Sequence, residues 1–244
     1  MLATIDAWVS LMSQPTPEVE PGSSLYGDAR KSPSLQVAHA AWNGIAHSVD
    51  HLHALRALML DAQILNIYAP FTLVRSAMEN AATAVWLLEP PQRPERLRRC
   101  LKLARYEAWE FGQVHKLLPV VALKGIRTAQ QRLDEIRALA IQLQLDPDDI
   151  AGQFSYEKVV RTVGEATGIG GDLSALIWRF GSGFAHGRYW ASFSLLQREE
   201  FAGQAGVINI RLTNDVDKVL SFAGFPFAFT NRALQLYEQR RRSP

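Results

Sequence analysis

The sequence predicts an all-α helical bundle carrying one short strand or hairpin near residues 206–213. Three observations lead there. Apolar residues recur at three- and four-residue steps, as in Leu97, Leu101, Ala104, Ala108 and Phe111, with arginines on the opposite face. The predicted helices are long and their links short, with no alternation of strands and helices. Residues 206–213 alone alternate as a strand does, setting Val207, Asn209 and Arg211 against Ile208, Ile210 and Leu212.

The elements follow in order. Residues 3–12 form a short amphipathic segment. The stretch "SQPTPEVEPGSSLYGDARKSPS" is rich in Pro, Gly and Ser and reads as a linker or surface arm, so residues 1–33 divide off as an N-terminal helix and extended arm. Residues 34–244 read as a single helical-bundle domain. Its first helix starts at Ser34 and runs to about residue 60. The second covers residues 71–88 and stops at "EPPQRP", where two prolines cannot continue it. The third spans 94–118 and the fourth 126–143, ahead of a turn opened by Pro147. A shorter helix at 156–167 ends at "GIGG". Asp172 is the expected N-cap of the next helix and Gly187 its C-terminal cap. The last helix covers 214–241, with a kink expected at Pro226.

Composition narrows the function. The 244 residues are 48% hydrophobic and 20% charged with a net charge of +2, too mild for bulk charge to mark a nucleic-acid binder. Cys100 is the single cysteine, so neither an internal disulfide nor a cysteine-based zinc cluster can form. The N-terminus carries Asp6 and lacks a basic start, a poor signal peptide, and no run of about 18 apolar residues offers a membrane span. A cytoplasmic protein without membrane attachment or cofactor is expected.

The richest stretch is "RFGSGFAHGRYW", residues 179–190. If it is helical, Arg179 and His186 lie seven residues apart on nearly one face, about 10 Å along the axis, with Ser182 between them. Arginine offers a permanent charge in a planar fork, and histidine exchanges protons near neutral pH. These are the parts needed to cleave RNA without metal. The structural alternative is a buried helix whose Gly181 and Gly183 admit a close neighbour. Arg75 and Glu79 stand four apart in an otherwise apolar helix. They form either an internal ion pair or, with Ser182 and Arg188, a supporting shell in which Glu79 orients His186. "HSVDHLH" offers a weaker alternative, a metal face of His39, His47 and His51, with Asp50 and His53 nearby. The basic runs "RPERLRR" and "EQRRR" read as solvated faces or as contacts to an RNA backbone. The aromatic set Trp178, Phe180, Phe184, Tyr189 and Trp190 reads as core or dimer interface rather than a base-stacking platform.

"FTLVRSAMENAATAVWLLEP", "RPERLRRCLKLARYE" and "LIWRFGSGFAHG" together resemble an actinobacterial all-helical family of unknown function, over residue 34 to the C-terminus. That family is similar to the HEPN superfamily, many of whose members are metal-independent ribonucleases of toxin and phage-defence systems. The HEPN signature is an arginine, four to six residues, then a histidine, and Arg179 and His186 match its longest form. The resemblance implies a metal-independent endoribonuclease, or an inactive RNA-binding relative, with Arg179 holding phosphate and His186 moving protons. The partners it implies are RNA, a second copy meeting at the Arg179–His186 helix, and an antitoxin or other partner protein. Active relatives usually carry a polar residue after the arginine, and here it is Phe180, so a binding-only descendant stays open. Two rival readings remain: a non-enzymatic helical module that binds a small ligand or a protein, and a metal-dependent enzyme built on His39, His47 and His51.

Overall fold

A computed structural model describes residues 1–117 and 125–244. The chain is all-α with a single two-stranded hairpin among the described residues. It packs as two compact units. The first comprises Met1–Thr16, Asn43–Val85 and Tyr156–Leu234, and the second Pro17–Trp42, Trp86–Ser155 and Gln235–Pro244. Helices α3 (Val37–Arg56), α4 (Ala69–Leu88) and α11 (Val216–Arg241) contribute residues to both. Among the described residues no helix is long and apolar enough to cross a membrane.

The first unit also holds α1 (Leu2–Met12), α8 (Tyr156–Ala166), α9 (Gly171–Ala185), α10 (Tyr189–Leu195) and the strands β1 (Gln197–Ala202) and β2 (Ile208–Thr213). Phe71 on α4 anchors its core, stacked on Phe184 at 4.4 Å and edge-on to Phe222 at 5.2 Å. Gly44 lets α3 approach α4: a methyl group there would lie 2.8 Å from the Asn80 carbonyl. Inside this core the Thr230 hydroxyl donates to the Pro226 carbonyl at 2.7 Å, so Ser48 is the donor in its own 2.7 Å bond to Thr230. Pro226 sits inside α11 without ending it. The first long helix leaves α geometry at Arg56 and closes with a π-helical turn, Ala57–Asp61.

The second unit holds α2 (Ser24–Lys31), α5 (Arg93–His115), α6 (Ala129–Gln142) and α7 (Pro147–Ala151) around Leu101, Ala108, Ile136, Ala140 and Ile150. Thr128 and Gln131 start α6 with a reciprocal capping box. The expected end of the third helix, Leu118, lies outside the described residues.

Several boundaries differ from the sequence reading. The arm is not merely extended: Ser23 accepts from the Tyr26 N–H at 3.2 Å and starts α2, and Leu25 and Asp28 are buried. Its composition hid a buried carboxylate. Asp28 accepts from Arg96 Nε at 2.7 Å and Nη2 at 2.8 Å and from Arg93 Nε at 3.2 Å, while Arg96 Nη1 donates to the carbonyls of Pro90 and Pro91. Asp172 is not the N-cap of its helix. Gly170 is, at φ 101°, and the Glu165 carboxylate accepts from the Gly171 N–H at 2.8 Å, leaving Asp172 in the first turn. The alternating segment at 206–213 is β2, and its partner β1, "QREEFA", escaped the alternation pattern because its two glutamates are consecutive.

Candidate functional site at the end of α9

Helix α9 is placed by glycine at both ends. Gly168 and Gly170 take positive φ and turn the chain back, so that α8 and α9 pack side by side. At the other end His186 is the C-cap and Gly187 lies at φ 61°. There the Gly187 N–H donates to the Phe184 carbonyl at 3.1 Å and the Arg188 N–H to the Gly183 carbonyl at 2.8 Å, a Schellman closure. Only glycine takes that position without strain, and the closure holds His186 at the helix end.

The two faces of α9 have different fates. Ser174, Ile177, Gly181, Gly183 and Phe184 are buried. A methyl group at Gly181 would lie 2.6 Å from Arg75 Cβ, and one at Gly183 would lie 2.7 Å from Ala191 Cβ. Both glycines therefore receive neighbours from their own chain. On the other face the Arg179 side chain is 60% exposed, and His186 and Arg188 are exposed too, with Ser182 between buried and exposed. Arg179 is not loose. Its Nε and Nη2 donate to the Glu157 carboxylate at 2.8–3.1 Å, while Nη1 has no hydrogen-bond partner among the described residues. Glu157, on α8, escaped the sequence reading because it lies 22 residues from its partner. The signal was present: Glu157 and Arg179 are roughly equidistant from the glycine turn, where an antiparallel helix pair brings residues together.

Arg75 and Glu79 pair at 2.8 Å in a mostly buried setting. Trp178 Nε1 donates to Glu79 Oε1 at 2.7 Å, and the Arg75 guanidinium lies over the Trp178 ring at 5.6 Å. Burial pushes the Glu79 carboxyl up, against the pull of Arg75 and Trp178. Glu79 thus spends its bonds on joining α4 to α9, one residue before Arg179, and makes none to His186.

The aromatic set splits. Phe184 is buried and Trp178 is tied to Glu79, whereas Tyr189 is 78% exposed and Trp190 half exposed. Phe193, one turn on, is exposed and stacks with Tyr189 at 5.9 Å. Phe180 turns away from the open face, 5.5 Å from the Trp190 ring and 6.1 Å from that of Phe222. The basic runs are largely spent on ion pairs. Arg96 is buried on Asp28, Arg98 and Arg99 share Glu95, and Arg241 and Arg242 share Glu238. Hydrogen bonds from Arg98 and Arg99 hold the Glu95 carboxyl down at about 2.

His39, His47 and His51 rise along α3 at eight- and four-residue steps, so His39 stands about 12 Å along the axis from His47. Burial pushes His51 down. Among the described residues no three metal-ligating side chains come together. A separate apolar concavity of about 840 Å³ lies at the π-helical turn, lined by Ala54, Ala57, Leu58, Tyr68, Thr72 and Leu73 among others.

Compared with family models, curated proteins and solved structures, the chain matches none.

Proposed function

We propose that the chain is a HEPN-like RNA-handling protein of the cytoplasm that binds single-stranded RNA over the open end of α9 and cuts it without metal. The carrying observation is that Arg179 and His186 share one helix face and both are open to solvent, with Arg179 held in place by Glu157. Arg179 Nη1 and the Arg188 guanidinium meet the phosphate. Tyr189 and Phe193 offer ring faces to unpaired bases. The neutral His186 imidazole takes the proton of the 2′-hydroxyl, O2′ attacks phosphorus, and the P–O5′ bond breaks. The products are a 2′,3′-cyclic phosphate and a 5′-hydroxyl that takes its proton from water. Phe180, folded onto Trp190 and Phe222, does not intrude on this face.

The test is labelled single-stranded RNA in excess EDTA with wild type, His186→Ala and Arg179→Ala. Cyclic-phosphate ends are expected from the wild type, falling about 10²–10⁴-fold in the histidine variant, with DNA untouched. Cleavage that EDTA abolishes, or that His186→Ala retains in full, overturns the mechanism. RNA binding without cleavage by any variant leaves the inactive-relative form of the proposal. The apolar concavity at the π-helical turn favours a second reading, a module that holds a small apolar ligand. Under that reading an environment-sensitive apolar dye binds there, and Leu58→Lys abolishes its signal.

A further inference from the structure

The hairpin β1–β2 is exposed along almost its whole length. A lone two-stranded ribbon is marginal in water, and this one shows solvent two isoleucines on one face, Ile208 at 63% and Ile210 at 39% exposure. Its two free edges are unlike. The β1 edge carries Arg198, Glu199 and Glu200, the charges that keep an edge strand from pairing. The β2 edge reads Ile208-Asn209-Ile210 and carries only Arg211. That charge is committed to its own hairpin, over the Phe201 ring at 5.1 Å and 3.5 Å from Glu199. The pairing register puts Arg211 and Phe201 on one face and the isoleucines on the other, where Arg198 and Glu200 of β1 sit beside them and pair with each other at 3.6 Å.

A two-fold interface must complement itself, and Ile-Asn-Ile is the same sequence read in either direction. We propose that β2 pairs antiparallel with β2 of a second copy about a two-fold axis at Asn209, making a continuous four-stranded sheet. Ile208 then faces the partner subunit's Ile210 and Ile210 the partner's Ile208, so that four isoleucines meet on one face. No lysine or carboxylate falls within that central register. The inference is independent of the RNA reading, and it moves the expected dimer contact from α9, whose glycines are filled by their own chain, to the hairpin.

Cysteine scanning tests it. Residues facing each other across an antiparallel pair have Cα atoms about 4.5–5.5 Å apart, inside the range of about 4.4–6.8 Å that a disulfide spans. Asn209→Cys should therefore link to itself under mild oxidation, and at least about tenfold more than Val207→Cys, whose two copies would stand about 14 Å apart, or Glu199→Cys on the other edge. Background is low because Cys100 is buried and burial pushes its thiol up to about 12. In sedimentation velocity the wild type should be a dimer at micromolar concentration. Ile210→Lys, felt twice in a two-fold contact, should weaken it at least about tenfold with unchanged helical circular dichroism. A wild-type monomer at 100 µM, or linking at Glu199→Cys in preference to Asn209→Cys, overturns the proposal.

Discussion

Two arginine–carboxylate pairs in this chain have nearly the same geometry and opposite surroundings. Arg96 grips Asp28 through Nε and Nη2 at 2.7–2.8 Å, with both side chains all but lost to solvent. Arg179 grips Glu157 through the same two nitrogens at 2.8–3.1 Å, with the arginine 60% exposed. In the first pair every guanidinium nitrogen is bonded, Nη1 going to the Pro90 and Pro91 carbonyls. In the second, Nη1 is left over. Geometry alone therefore does not separate a structural arginine from a functional one. Solvent access and a spare donor are what set Arg179 apart from Arg96.

The largest expected effect lies in the buried pair. Asp28→Ala strands the Arg96 cation in a dry site and should cost about 3–5 kcal/mol, a fall in Tm of about 10 °C for a chain of this size. Arg96→Lys should not restore it, because an ammonium cannot make the two-pronged contact. A change of under 2 °C would erase the contrast between the two pairs. Next comes Glu79→Ala, which strands Arg75 and the Trp178 indole in a partly exposed setting. It should cost about 2 kcal/mol, and Glu79→Gln, which keeps an acceptor for Trp178, should cost less.

A smaller effect comes with acid. Glu95 ionises at about 2 rather than the usual 4.5 because Arg98 and Arg99 favour its charged form. The folded-state value is the lower one, so the stabilisation is full above 4.5 and fades as pH falls toward 2. Glu95→Gln should lower the neutral melt and flatten the acid limb, so that its gap to wild type is widest above pH 4.5 and closes as pH falls toward 2. The smallest effect on stability belongs to Glu157→Ala. An exposed pair contributes at most about 1 kcal/mol, so the melt should barely move, while RNA affinity changes because Arg179 is no longer aimed. If Glu157→Ala melts as low as Asp28→Ala, the open pair is structural too.

The sequence carried the all-α class and most helix positions because apolar periodicity depends on neighbours three and four residues apart. It carried the Arg179–His186 face for the same reason. What it did not carry is partnership across distance. Asp28 sat in a Pro-, Gly- and Ser-rich stretch that reads as surface, yet it is the most buried acid described, because Arg96 lies 68 residues away. The run containing Arg96 looked like a basic patch for the same reason. Glu157 was legible only by folding α8 back on α9 about the glycine turn. Phe193, Tyr189 and Trp190 were indistinguishable from core by residue type, yet α10 buries Ala191 and leaves these three rings exposed.

The central claim is that the open pair handles RNA and the buried pair holds the fold. Fluorescence anisotropy of a labelled single-stranded RNA, titrated with wild type and Arg179→Ala and read beside their melting curves, tests it most directly. Saturable binding by the wild type, weakened at least about tenfold in the variant with Tm unchanged within a degree, is the predicted result. Equal binding by both proteins, or none by either, contradicts it.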